Sequence, residues 1–200
     1  MADERPVVKR TARAILLDGD PGEARPPRMI LIKRTKPGRE PYWITPGGGV
    51  EPGVDRTVIE ALHREVDEEL GAKITDVVPA FVDTVEHHED PPGPGGRSPG
   101  DQSPGDRDDR PGAAGGEHAP PGGSAPGVKV QHFFVCRLAS MDPSLRHGPE
   151  VEEPCGEYEI VSVPFTRAGV ASVEVVPPSL RRYLDANIEG VLALLAPDLS

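Results

Sequence analysis

Between Arg64 and Gly71 the chain reads R-E-V-D-E-E-L-G. On a helix that turns about 100° per residue, Glu65, Glu68 and Glu69 share one face. Like charges this close repel by a few tenths of a kcal/mol per pair, so their clustering suits a site for a divalent cation. Such ions prefer oxygen ligands, and carboxylates together with substrate phosphates commonly supply them. Taken alone, an E-x-x-E-E run is more often a solvated helix face, because glutamate is a good helix former. The residues that precede it add weight to the metal reading.

Positioning these carboxylates requires a helix with a second face that packs, and Ile59, Leu62, Val66 and Leu70 form such a stripe. Gly71 ends the helix. Upstream, the apolar segment at Trp43 breaks on Pro46 and the three glycines Gly47, Gly48 and Gly49. A glycine loop therefore leads into an acidic helix.

The stretch Trp43 to Ala72 resembles the Nudix box, G-x5-E-x7-R-E-U-x-E-E-x-G-U, where U is aliphatic. Arg64, Glu65, Val66, Glu68, Glu69, Gly71 and Ala72 match its second half. The first half departs from the pattern. Counting from Gly48, Val54 takes the place of the first glutamate; counting from Gly49, Asp55 takes it and one extra residue precedes Arg64. In the family that glutamate braces the loop against the box arginine, so the expectation here is that Asp55 or Glu51 pairs with Arg64. The resemblance further implies magnesium (Mg2+) or manganese bound by Glu65, Glu68, Glu69 and a carbonyl near Gly48. It also implies an orienting role for Arg64 and a proton acceptor drawn from the box or from a later loop. Glu150, following Gly148 and Pro149, is the candidate from that loop, set against the alternative of an exposed acidic loop.

Along the rest of the chain, residues 7–18 and 29–34 read as a hairpin of two strands around a turn-rich loop. Lys33 and Arg34 at the end of the second strand, followed by Lys36 and Arg39, are either solvated strand ends or a contact for substrate phosphate. Trp43 is expected to pack rather than to stack on a base. Residues 74–87 read as a strand interrupted near Pro79, and residues 128–138 as another. Between them, residues 91–127 are mostly proline, glycine and charge, with no Val, Ile, Leu, Met or aromatic residue. Such a segment cannot bury enough apolar surface to offset its ordering entropy, so it reads as a disordered insert joining neighbouring strands. His87 and His88 at its edge read as strand-end residues. Residues 158–165 return to a strand, and Leu180, Leu184, Ile188, Val191 and Leu195 recur at helical spacing.

Composition excludes several classes. A net charge of −11 disfavours a non-specific nucleic-acid binder, and no run of apolar residues is long enough for a membrane helix. The charged amino-terminal residues lack an apolar core of a secretion signal, and Cys136 and Cys155 have no metal or redox spacing, so a cytoplasmic location with ordinary thiols is expected. The pieces describe one domain over residues 1–200, an α/β chain with a mixed sheet. The resemblance sharpens this to the Nudix α/β/α sandwich, with homodimer formation compatible with the fold. The function implied is divalent-metal-dependent hydrolysis of a phosphoanhydride bond in a small-molecule nucleotide, a nucleoside diphosphate linked to another group. The competing reading is a non-catalytic sensor of a nucleotide or ADP-ribose, favoured by the altered first half of the box and opposed by the intact R-E-x-x-E-E pattern.

Overall fold

Strand β1 (Val7–Asp18) is apolar at successive positions near its end and is flanked on both edges, as expected of a central strand. The computed structural model describes residues 5–21, 24–87, 127–148 and 156–196. Within these, seven strands form one mixed sheet: β2 (Arg28–Thr35), β3 (Tyr42–Ile44), β4 (Gly47–Gly49), β5 (Ala72–His87), β6 (Gly127–Met141) and β7 (Glu157–Pro164) join β1. The path runs β3-β2-β1-β6-β5, with β4 on β1 and β7 on β2. The β1–β6 pair is parallel and the others are antiparallel.

The first two strands form the expected hairpin, but they stay together only at Leu16–Asp18 against Arg28–Ile30. Beyond that they diverge. β3 then pairs with β2 at Ile32–Arg34, and β4 pairs with β1 at Thr11–Arg13. The two arms are tied where the chain crosses from β3 to β4, by the Ala14 N–H donating to Pro46 O at 2.8 Å. The result is a V-shaped opening in the sheet.

Helix α1 (Val58–Leu70) begins at Thr57, whose hydroxyl accepts the Glu60 N–H, and ends at Gly71 in the left-handed region (φ 62°). A Cβ at Gly71 would also lie 2.1 Å from Asp142 O. Ala61, Leu62, Val66 and Leu70 are fully buried against Ala12, Ala14, Leu16, Ile30 and Phe134 on one face of the sheet. Ile59 is an exception to the expected stripe. It stands 43% exposed in the first turn of the helix, where Ala61 and Leu62 are the fully buried residues.

The opposite face carries Ile15, Leu17, Phe133 and Val135 under α2 (Arg167–Ala171) and α3 (Pro178–Leu194), with Leu180, Leu184, Ile188 and Val191 buried. This is the expected helix–sheet–helix layering. Trp43 packs against this second cluster, as anticipated. β5 is longer than expected and continuous through Pro79, its irregularities absorbed by shifts of register between Thr75 and Val78 and between Pro79 and Phe81. β5 and β6 are antiparallel neighbours and His87 is the register partner of Gly127, so the insert does join adjacent strands. Residues 91–126 and His88 lie outside the described residues, as do Glu150, Cys155 and the side chain of His87. Cys136 is a buried free thiol, its pKa pushed up to about 12 by burial. No helix among the described residues is long and apolar enough to cross a membrane.

Candidate functional site

The V between β1 and β2 opens into a cleft of about 280 Å³, lined at one end by Gly48, Glu65, Glu68 and Glu69. Strand β4 makes this end possible because it is built of glycine. A Cβ at Gly47 would lie 2.1 Å from Ala12 O, and one at Gly48 would sit 2.3 Å from the Glu65 carboxylate. The Glu65 carboxylate thus rests in the place of a missing side chain.

Arg64 organises the acidic residues around it. Its Nε and Nη2 donate to the two oxygens of Asp55 at 3.1 and 2.9 Å, and Nη2 also donates to Gly49 O at 2.9 Å. Nη1 meets Glu65 at 3.0 Å and Glu68 at 3.1 Å, whereas Glu51 stands farther off at 3.8 Å. Asp55 therefore takes the bracing place of the displaced box glutamate. Its side chain is 3% exposed, and the hydrogen bond from Arg64 holds its pKa below the usual carboxylate range. The same bond, with the charges of Glu65 and Glu68, raises the pKa of Arg64.

The loop that carries Asp55 closes on itself: Asp55 Oδ2 accepts the Glu51 N–H at 2.8 Å, and Glu51 O accepts the Asp55 N–H at 2.9 Å. One extra residue before Arg64 is absorbed in this turn. The three glutamates then divide. Glu69 is buried and accepts the Gly47 N–H at 2.7 Å, which fixes β4 to the helix. Glu65 is pushed up to about 7, first by burial and then, against the pull of Arg64, by the neighbouring Glu68 charge. Glu68 is the most exposed of the three box carboxylates along the cleft.

Among the described residues, no three His, Cys, Asp or Glu side chains stand at metal-binding separation. Arg64 occupies the space between Glu65 and Glu68 and supplies the compensating charge. The donor set nonetheless suits a hard cation. Glu65 is a desolvated carboxylate seated against the Gly48 backbone, with Glu68 and Glu69 on the same cleft wall.

The far end of α1 is capped by the loop after β6. His147 N–H donates to Glu68 O at 3.0 Å, and Arg146 Nε donates to Glu69 O at 2.6 Å. These satisfy carbonyls that a helix end leaves open, and the basic side chain is favourably placed against the helix dipole. Gly148 follows within 3.7 Å of Glu68 by its ideal Cβ position.

Of the basic residues singled out at and after the end of β2, Arg34 lines the cleft and stacks on the Tyr158 ring at 4.4 Å. Lys33 points the other way and pairs with Glu159 at 3.0 Å, as strand alternation requires. Lys36 and Arg39 lie beyond the end of β2 and do not line the cleft. The sequence reading passed over four others, Lys9, Arg13, Lys129 and Arg146, all of which line the cleft. Arg13 clamps the apex of the V, donating to Gly47 O at 2.5 Å and Thr45 O at 3.3 Å. A signal for Lys129 does exist in the sequence. It lies two and three alternations before Phe133 and Val135 in β6, a charged residue at core-facing parity.

A profile of the NUDIX domain matches residues 8–162, and the chain belongs to this family. Among solved structures, a NUDIX hydrolase from Nitrosomonas europaea is similar at 16% identity, with a TM-score of 0.51 over 93% of this chain and 90% of the other. The NUDIX domain of Shewanella oneidensis NrtR, solved as a complex with ADP ribose, gives a TM-score of 0.51 at 13% identity over 94% and 90%. Both share the fold. No curated protein matches the chain.

Proposed function

We propose that this NUDIX protein hydrolyses a phosphoanhydride bond in a nucleoside diphosphate linked to another group, using magnesium or manganese. The observation that carries the reading is the meeting of Glu65, Glu68 and Glu69 with the Gly48 backbone at one end of a cleft that is otherwise basic. Glu65, Glu68, Glu69 and the Gly48 carbonyl would hold the ion. When bound, it would neutralise phosphate charge and lower the pKa of a bound water.

The residues of the chain supply the rest. Arg64, locked by Asp55, holds the glycine strand and the helix in one frame, so the carboxylates meet the substrate without reorganising. A carboxylate of the acidic helix, Glu65 or Glu68, can accept a proton from the attacking water. Glu150, from the loop that starts beyond Gly148, is the alternative acceptor. Glu68 completes the acidic wall, and Arg34, which lines the same cleft, orients the phosphates.

In this reading the substrate is a small-molecule nucleotide, the protein acts in the cytoplasm as a single domain over residues 1–200, and a homodimer is compatible with it. Incubation with a panel of nucleotide derivatives, with and without magnesium, tests the activity through product analysis. Metal-dependent release of a phosphorylated product is expected, and Glu68→Gln and Glu69→Gln should abolish it. Binding without product under every metal condition would instead give the sensor reading. Replacing residues 91–126 with a short turn should leave activity intact, because the strand ends it joins are already register partners.

A further inference from the structure

Lys129 is 9% exposed and lines the cleft, yet among the described residues it has no hydrogen-bond acceptor. The charged groups that act on it are Arg13 and Lys9, both of its own sign, and Lys9 is its register partner across the β1–β6 ladder. Beside them, the Thr11 hydroxyl is buried in the cleft wall and among the described residues also has no hydrogen-bond partner. An ammonium packed in a cleft wall among like charges is stabilised when an anion meets it. These groups stand apart from the acidic wall. Lys9, Thr11 and Lys129 lie at the alternation of Ile15 and Phe133, on the sheet face turned away from α1, whereas Gly48 pairs with Ala12 on the face that α1 covers.

We propose that Lys129, Lys9 and Thr11 form a second anion subsite in the cleft, which takes a further phosphate of a substrate carrying three or more phosphates in line. The assignment of substrate class rests on the hydrolase reading above; the anion subsite itself does not. A diphosphate would occupy the acidic end together with its cation and leave the ammonium groups unmet. A third phosphate supplies charge and acceptors to both lysines and an acceptor to the Thr11 hydroxyl. A neutral sugar at the same place offers hydroxyls but no compensating charge, so nucleoside diphosphate sugars should be poorer substrates.

Calorimetry of the metal-free protein with inorganic tripolyphosphate tests the subsite without any turnover. Binding is expected for the native protein and for Lys129→Arg, and should weaken roughly 30-fold in Lys129→Met, equal to about 2 kcal/mol at 1.4 kcal/mol per tenfold. A folded Lys129→Met protein that binds tripolyphosphate as tightly as the native one, or a native protein that does not bind it, overturns the subsite. The second arm compares kcat/KM for a nucleoside triphosphate and a nucleoside diphosphate sugar of the same base. Lys129→Met should lower the first by a similar factor and leave the second unchanged; equal losses on both overturn the substrate class. If neither compound is hydrolysed while tripolyphosphate binding still depends on Lys129, the hydrolase reading and the substrate class fall and the anion subsite stands.

Discussion

The two walls of the cleft are stabilised in opposite ways. The acidic wall compensates its charges internally: Arg64 is tied to Asp55, Glu65 and Glu68, and Glu69 receives a backbone N–H from Gly47. On the basic wall, Arg13 is engaged by backbone carbonyls, but among the described residues the charges that act on Lys129 are Arg13 and Lys9, of its own sign. One wall is braced before substrate arrives, and the other is left to be completed by it. Preorganised charge on the reacting side costs nothing to rearrange during the reaction, while an unmet cation on the other side adds attraction for an anionic ligand.

The sharpest break of this contrast comes from removing a single carboxylate charge. Glu68→Gln keeps the shape of the wall, and should lower hydrolysis by roughly 100-fold or more in steady-state assays with magnesium, with stability little changed. Chelating the divalent ion with EDTA should have an effect at least as large on the native protein. If either leaves the rate intact, the acidic wall is structural only.

The brace itself is tested through stability. Asp55→Ala leaves Arg64 without its bidentate partner, and should cost about 2–3 kcal/mol in denaturant unfolding, with a matching fall in activity. Glu51→Ala should cost far less, since Glu51 stands 3.8 Å away and is mostly exposed. Equal effects from the two would remove the distinction between brace and bystander.

For the basic wall the signature is a pH dependence of stability. Burial, then the charges of Arg13 and Lys9, lowers the Lys129 pKa from its usual 10.5 to about 8. The folded state therefore binds fewer protons than the unfolded state between pH 8 and 10.5. Unfolding takes up a proton in that window, so this group makes the protein more stable as pH rises through it. Measured as the difference between native and Lys129→Met proteins at pH 7 and pH 9.5, native stability should gain on the variant by roughly 1–2 kcal/mol at the higher pH. A difference that does not change with pH would mean that Lys129 is not buried among cations.

The smallest effect belongs to a residue of α1 that serves neither wall. Ile59→Ser should change the unfolding free energy by less than about 0.5 kcal/mol, because Ile59 is 43% exposed despite its place in the helical repeat. A loss of several kcal/mol would restore it to the core.

The legibility of the two walls differs for the same reason that their construction does. The acidic wall lies within Gly47 to Gly71, where helix periodicity alone places Glu65, Glu68 and Glu69 together and sets Leu62, Val66 and Leu70 opposite them. Asp55 was legible too, as a carboxylate one residue out of step with Arg64. The strands and the carboxy-terminal helix followed from alternation and helical spacing, with boundaries displaced by a few residues. What the sequence by itself determined was thus the main strands, the acidic helix and a glycine loop before it; that the loop pairs as strand β4 against β1, with Glu65 seated on it, came only from the structure.

Tertiary structure decided which of two candidate residues, Asp55 or Glu51, closes on Arg64, because that depends on how the turn between them folds. It also separated Lys33 from Arg34, and brought Lys9, Arg13, Lys129 and Arg146 into one cleft from sites more than 130 residues apart. The physical reason is that helix periodicity acts between neighbours in the chain, whereas the basic wall exists only through the parallel pairing of β1 with β6 and the divergence of β1 from β2.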